Sequence, residues 1–380
     1  MSDPTRRAGL ETLAVHAGRT PDPASGALAQ PLIASTTFLR GADGGEPSGF
    51  GYARSDNPNR RALEACLAAL EGGAAAAAFA SGAAAAYAVF QTLAPGDHVV
   101  CCADAYHGVR AELAGPLARW GLNTSFVDTT DLAATERAFT SRTKLLWLES
   151  PTNPLLKVAD LAALARLGRA RGALVVCDNT FATPVLQSPV ALGCDLVMHS
   201  TTKYLGGHSD VMGGAIVAAD PAGAFALVRE QQQVAGAVPS PRDCWLLQRG
   251  AATLPLRVRA QSAGAATLAA WLVAQPQVHA VHYPGLPEHP GHALALRQMR
   301  AFGAMLSFQV RGGEAAALGA VARATLFTRA TSLGSVESLI EHRATSEGPR
   351  STTPRDLIRL SVGLETPADL IADLEQALAV

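Results

Sequence analysis

The sequence predicts an α/β protein: a large domain on a mostly parallel sheet covered by helices, then a smaller α+β domain. Three observations carry this. At 380 residues the chain exceeds what one ordinary hydrophobic core serves. Short apolar runs alternate with helical patterns through its middle. Those runs are apolar at successive positions rather than at every second one, as in strands buried on both faces.

Residues 1–56 are rich in Gly, Pro, Ser and Thr and show little period, which marks an extended N-terminal arm. The pattern changes at Asn57. Pro58 stands where a first helical turn tolerates proline, and the helix runs through RRALEACLAALE to Gly72-Gly73. Alanine clusters at 74–78 and 83–86 read as close packing of a helix on the sheet, with Gly82 letting the backbone turn. Strands are expected over 97–102, 124–127, 144–148, 173–177, 196–199 and 214–217, with helices over 109–120 and 160–171. Pro239 and Pro241 break the chain, so residues 57–238 are assigned to the large domain and 239–380 to the smaller one. There a long helix is expected over 253–274, strands over 304–310 and 357–361, and a last helix ending at 370–378.

Composition narrows the function. The chain is 48% hydrophobic and 17% charged, as for a soluble globular protein with a substantial core. Its formal net charge is -1 and no basic stripe occurs, which argues against nucleic acid and anionic membrane as partners. The alanine-rich stretch 74–90 is too short and too small in side chain to span a bilayer. The N-terminal residues MSDPTRRAGLETLAVHAG lack the apolar core and cleavage site of a secretory signal. Six cysteines lie scattered, mostly in apolar runs and without C-x-x-C spacing. That pattern points to a reducing, cytoplasmic location and away from disulfides or zinc. His279, His282, His289 and His292 show two H-x-x-H spacings, but HYPGLPEHPG is proline-rich and has no helix to align ligands, so no metal is expected.

The chemistry gathers on Asp178, in VVCDNTF, and Lys203, in HSTTKYLGGHSD. Asp178 ends one apolar strand and Lys203 lies just past the next, where open α/β sheets bind ligands. An aldehyde cofactor needs a lysine, and pyridoxal 5'-phosphate (PLP) needs in addition an acid for its ring nitrogen. Ser200 and Thr202 precede the lysine, and Ser81-Gly82-Ala83 opens a helix after an apolar strand. Hydroxyls and free N–H groups at a helix start suit a phosphate. Each residue alone also has an ordinary reading, Ser81 as an N-cap and Lys203 as a surface lysine.

The motifs HSTTKYLGGHSDVMGG, YARSDNPNR, ESPTNPLLKVAD, VVCDNTF, FGAMLSF, TSLGSVESLIEH and DLIRLSVGLE resemble the cystathionine γ-synthase family of trans-sulfuration PLP enzymes. The resemblance spans essentially the whole chain. It implies the aspartate-aminotransferase-type fold with a seven-stranded sheet, cysteine and methionine metabolism, and a homotetramer built from two tight dimers. Lys203 becomes the Schiff-base lysine and proton shuttle, Asp178 the pyridine-nitrogen partner and Tyr106 the ring stacked on the cofactor. Ser81, Gly82, Ala83, Ser200 and Thr202 would hold the phosphate, with Tyr52 and Arg54 reaching the phosphate of a neighbouring subunit. Asn153, Ser332 and Arg359 would position the substrate carboxylate. Tyr106 or Tyr52 would trade protons with the leaving group, a role that calls for a lowered phenol pKa. Without the resemblance, Tyr106 is a half-buried tyrosine, Arg359 a strand-end arginine and Asn153 part of a turn.

The implied activity is γ-replacement or γ-elimination of the cystathionine γ-synthase or γ-lyase type. Cystathionine β-lyase, methionine γ-lyase, homoserine-ester sulfhydrylase and a non-catalytic PLP-binding homologue are the alternatives. Family members that handle cystathionine often carry acids where this chain has Gly51 and Thr331. Its stretch 341–356 is also shorter than usual and lacks an M-T-H motif; His342, Arg343 and Glu347 stand there as sources of new polar contacts.

Overall fold

A computed structural model describes residues 8–349 and 351–379; the first seven residues of the expected arm, and Arg350 in the shortened loop, lie outside the described residues. The chain builds two sheets. The first contains β1 (Ala75–Phe79), β2 (His98–Cys102), β3 (Asn123–Val127), β4 (Thr143–Glu149), β5 (Leu174–Asp178), β6 (Leu196–His199) and β7 (Gly214–Ala218). Its order is β1-β7-β6-β5-β4-β2-β3, with β7 antiparallel to both neighbours and every other pair parallel. Alternate residues face opposite clusters: Ala76 and Ala78 join one, Ala77 and Phe79 the other. Burial on both faces is what removes the period-2 alternation from the sequence.

The second sheet contains β8 (Val278–His282), β9 (Met305–Val310), β10 (Thr328–Arg329), β11 (Leu339–His342) and β12 (Leu357–Ser361), in the order β10-β11-β12-β9-β8. The 20-residue helix Leu254–Val273 packs on β8 and β9 and the helix Gly313–Arg323 on β9, β11 and β12, while the helix Pro367–Leu378 packs against both helices.

Several expected elements differ in detail. Residues 75–79 form β1 rather than a helix packed on the sheet; alanine carries no β signal, and the pairing with β7 overrides its helix propensity. The single helix expected over 109–120 is two, His107–Ala114 and Pro116–Trp120. Pro116 cannot continue the first, because its ring and missing N–H break the ladder. The arm is not wholly extended, since Leu10–His16 forms a helix that buries Ala14 against the helix Pro58–Glu71. Seven residues are too few to show a period. Strands β8, β10 and β11 are not among the elements expected from the sequence. All six cysteines are buried and free.

As an edge strand, β1 would leave its outer backbone groups unpaired, and side chains close it instead. Glu64 accepts from the Ala78 N–H at 2.8 Å, Gln232 donates to the Ala78 carbonyl at 2.5 Å, and Arg229 donates to the Ala76 carbonyl. Glu64 also holds Gln232 at 2.8 Å and Arg229 at 2.8 Å. Glu64→Ala should therefore lower unfolding free energy by about 2–4 kcal/mol, because it strands a buried N–H and loosens two donors. Urea denaturation would measure the loss, and an unchanged midpoint would show that the edge is held otherwise.

Candidate active site

Strands β4, β5 and β6 lie side by side in parallel and end together on Glu149, Asp178 and His199. Beyond their carboxyl ends lies a cavity of about 450 Å³. Ser81, Gly82, Ala83, Tyr106, Asn153, Asp178, Ser200, Thr202, Lys203, Thr331, Ser332 and Arg359 all line it, so nearly every residue singled out in the sequence comes to one place. Gly51, Tyr52 and Arg54 do not line it. Tyr52 is half exposed, and Arg54 lies over its ring and donates to the Gln233 carbonyl.

Each side chain is held from outside the cavity. Asp178 accepts from the Thr180 N–H at 2.9 Å, and burial pushes its carboxyl up while Thr180 and His199 pull it down. The Lys203 amine donates to the Ser332 hydroxyl at 2.8 Å. Burial, with the guanidiniums of Arg359 and Arg343 adding, pulls that amine down to about 8. Arg359, on β12, donates to Asn153 Oδ1 at 2.9 Å, to the Ser332 carbonyl at 3.1 Å and to Glu341 Oε2 at 2.5 Å. Ser332 holds a positive φ of 106°, a conformation that side chains rarely adopt and that these bonds sustain.

Two glycines let the loops close on one another. A Cβ on Gly82 would lie 2.9 Å from Ser200 Cβ, and one on Gly214 would lie 2.1 Å from the Ser81 carbonyl. The helix Gly82–Phe90 thus starts against the Ser200 loop, with the Ser81 hydroxyl accepting from Ala84 N–H at 3.0 Å. Its first N–H groups and the Ser200 hydroxyl are the donors an anion needs. Thr202 is partly engaged, its hydroxyl accepting from Gly213 N–H at 3.0 Å.

Four features were missed or only partly read in the sequence. Glu149 lies buried beside Asp178, accepts from Tyr106 N–H at 2.7 Å, and is pushed far up by burial and by the Asp178 charge. His107 lines the cavity next to Tyr106. Arg343 lines it too, whereas Glu347 only holds Arg343, and His342 is spent on Thr345 and the Arg355 carbonyl at 2.6 Å each. The lowered phenol pKa expected of Tyr106 is not found: burial raises it, and Arg343 and Arg359 counter only part. No residue pattern announces such tertiary neighbours.

The four histidines of the 279–292 segment each have a separate partner: Asp356, Gln309, Gly291 N–H and the Pro284 carbonyl. Among the described residues no group of His, Cys, Asp and Glu is placed to hold a metal ion. Nor is any helix among them long and apolar enough to cross a membrane.

A half-buried lysine whose amine is drawn down to about 8, a buried acid at a strand end and an anion cradle in one cavity define a PLP-binding site of the doubly wound α/β class. The comparisons agree. The family model "Cys/Met metabolism PLP-dependent enzyme" matches residues 11–379, and the chain belongs to that family. It is 51% identical to a cystathionine γ-synthase of Mycobacterium tuberculosis, over 97% of each chain. Identity to a cystathionine γ-lyase of Dictyostelium discoideum is 43%, again over 97% of each. The crystal structure of metB from Corynebacterium glutamicum superposes with a TM-score of 0.96 at 43% identity, covering 98% of both chains. The chain is thus a PLP-dependent enzyme of the trans-sulfuration type, similar to both synthases and γ-lyases.

Because the Lys203 amine becomes a free nucleophile as pH rises through about 8, cofactor-free protein should take up PLP faster with rising pH, half-maximally near that value. Arg359→Ala removes one repelling cation and should move the midpoint upward. Stopped-flow absorbance at a series of pH values tests both, and a midpoint near that of an ordinary surface lysine would contradict the site.

Proposed function

We propose that this chain catalyses replacement or elimination at the γ-carbon of an amino acid, as a cystathionine γ-synthase or γ-lyase does, with Lys203 as the cofactor-bearing residue and proton carrier. The observation that carries the reading is the Lys203 amine, half-buried, drawn down to about 8 and facing Asp178 and Arg359 across one cavity. Bound there, PLP would supply a protonated pyridine ring that accepts the electron pair released at the substrate α-carbon.

Asp178 would hold the ring nitrogen, and Tyr106 the ring face. Ser81, Gly82, Ala83, Ser200 and Thr202 would hold the phosphate. Arg359 would take the substrate α-carboxylate in a two-point clamp, its plane fixed by Asn153 and Glu341. In its neutral form Lys203 Nζ can then lift a proton from the α-carbon, and only after handing that proton on can it take, for γ-chemistry, another from the β-carbon. Ser332, fixed by Arg359, orients that amine. Tyr106, kept protonated by burial, is suited to give its proton to the departing group.

The half-exposed Tyr52 and neighbouring Arg54 are unused by their own cavity. This supports a shared active site in which the arm reaches a second subunit, within a dimer of dimers.

Lys203→Ala should lower turnover at least about a thousandfold and abolish the borohydride-sensitive yellow colour of the holoenzyme. O-succinylhomoserine, O-acetylhomoserine, cystathionine and methionine, each with and without cysteine, separate replacement from elimination through cystathionine and 2-oxobutyrate yields. No product from any of them would refute γ-chemistry.

A further inference from the structure

The cavity contains a second guanidinium to which the mechanism above gives no contact with the substrate. Arg343 is buried yet lines the same space as Lys203 and Arg359. Its Nε donates to Glu347 Oε1 at 3.0 Å and one terminal nitrogen to His107 Nδ1 at 3.1 Å. The other terminal nitrogen reaches Glu341 Oε2 only at 3.5 Å, an oxygen already held at 2.5 Å by Arg359. Two guanidiniums therefore lean on one carboxylate oxygen, and Arg343 has the weaker share.

A guanidinium offers five N–H donors, so two on Arg343 remain for a ligand. Its orientation is preset. Glu347 accepts from Ser351 at 2.6 Å and from Thr353 at 2.9 Å, which ties the arginine's anchor to the loop behind it. His107 accepts through Nδ1 from Arg343, so its other ring nitrogen carries the hydrogen and is a donor as well. Partial desolvation and the Arg343 charge both lower that ring's affinity for a second proton.

We infer that Arg343 and His107 form a second subsite, beside Arg359, that recognises an anionic end of the substrate's γ-substituent, specifically a carboxylate. The inference rests on the proposed γ-chemistry. A planar carboxylate matches the spare fork of the guanidinium, whereas an ammonium there would meet a cation. An uncharged γ-substituent would leave buried donors unpaired, and sites built to hydrogen-bond discriminate strongly against such analogues.

The test compares O-succinyl-L-homoserine with O-acetyl-L-homoserine, each with L-cysteine, in the wild-type holoenzyme, Arg343→Met and Arg343→Lys. The wild type should prefer the succinyl ester. Arg343→Met should cut that preference about 10- to 100-fold, mainly through KM, whereas any effect on kcat through the Lys203 amine falls on both esters alike and cancels in the ratio. Arg343→Lys should keep part of the preference. An unchanged ratio, or an equal fall for both esters, overturns the inference, because a merely structural arginine would affect both alike.

A second arm needs no turnover: binding of L-2-aminopimelate against L-norleucine, followed by the cofactor's absorbance. Tighter binding of the diacid that vanishes in Arg343→Met supports the subsite, and equal binding by the wild type sinks it even if the variants do not fold. If neither ester reacts, the γ-replacement reading fails while this binding arm still decides the role of Arg343.

Discussion

The constraint on which the rest of the site depends is the crowding of one half-buried amine by cations. Lys203 sits near Arg359 and Arg343, and removing all three from water is costly unless charge is balanced or given up. Lysine gives way first, its amine drawn down to about 8, so that it loses its proton just above neutral pH. The guanidiniums keep theirs: even Arg359, drawn down to about 10 chiefly by burial, stays charged at neutral pH. Catalytic readiness at Lys203 thus follows from the same crowding that would otherwise destabilise the fold.

The acids obey the mirror-image rule. Glu149 and Asp178 stand in register on neighbouring strands, each buried, so both cannot be charged without cost. Their partners separate them. Glu149 has the Tyr106 N–H but is pushed far up by burial, which favours its neutral form. Asp178 has Thr180 and the nearby His199, which favour its anion. Behind this pair runs a buried polar chain: His199 on Glu71 at 2.5 Å, Asn179 on Glu71 at 2.8 Å, and Gln187 on Asn179 at 3.0 Å. Gln298 continues it at 3.0 Å into the C-terminal half of the chain. The base of the cofactor site is braced from within the core.

What the sequence made legible divides along physical lines. The parallel strands were readable because full burial leaves unbroken apolar runs, and Asp178 and Lys203 because the ends of such strands are where ligands bind. β1 was not, because alanine signals helix while the pairing decides for strand. β8 was obscured by His279 and His282, which interrupt its apolar run, and β11 by Glu341 and His342, polar residues buried through side-chain and backbone partners on the loop and strand that follow. Glu149 and His107 were missed for a related reason. Their importance lies in contacts with residues 29 and 236 positions away, which no local period encodes. Arg343 was noticed as an unusual residue, but only the fold places it beside Arg359.

These contacts also make the active site part of what joins the two sheets. Lys203 follows the first sheet's β6, and its amine is received by Ser332, just ahead of β11 in the second. Arg359 on β12 reaches back to Asn153, past the end of β4, and Ser307 on β9 donates to the Pro154 carbonyl at 2.8 Å. Apolar packing can tolerate small slips between elements, but these directional bonds cannot. The strained Ser332 backbone shows where the requirement is most exacting, since it must serve Lys203 with its hydroxyl and Arg359 with its carbonyl at once. Because Glu341 ties Arg343 to Arg359, that requirement extends to the shortened loop. A change of loop length there alters the side chains facing the substrate while β11 and β12 keep Arg359 in register, as the pairing of Glu341 with Arg359 shows. Specificity can therefore vary at this edge without disturbing the lysine and acid that do the chemistry.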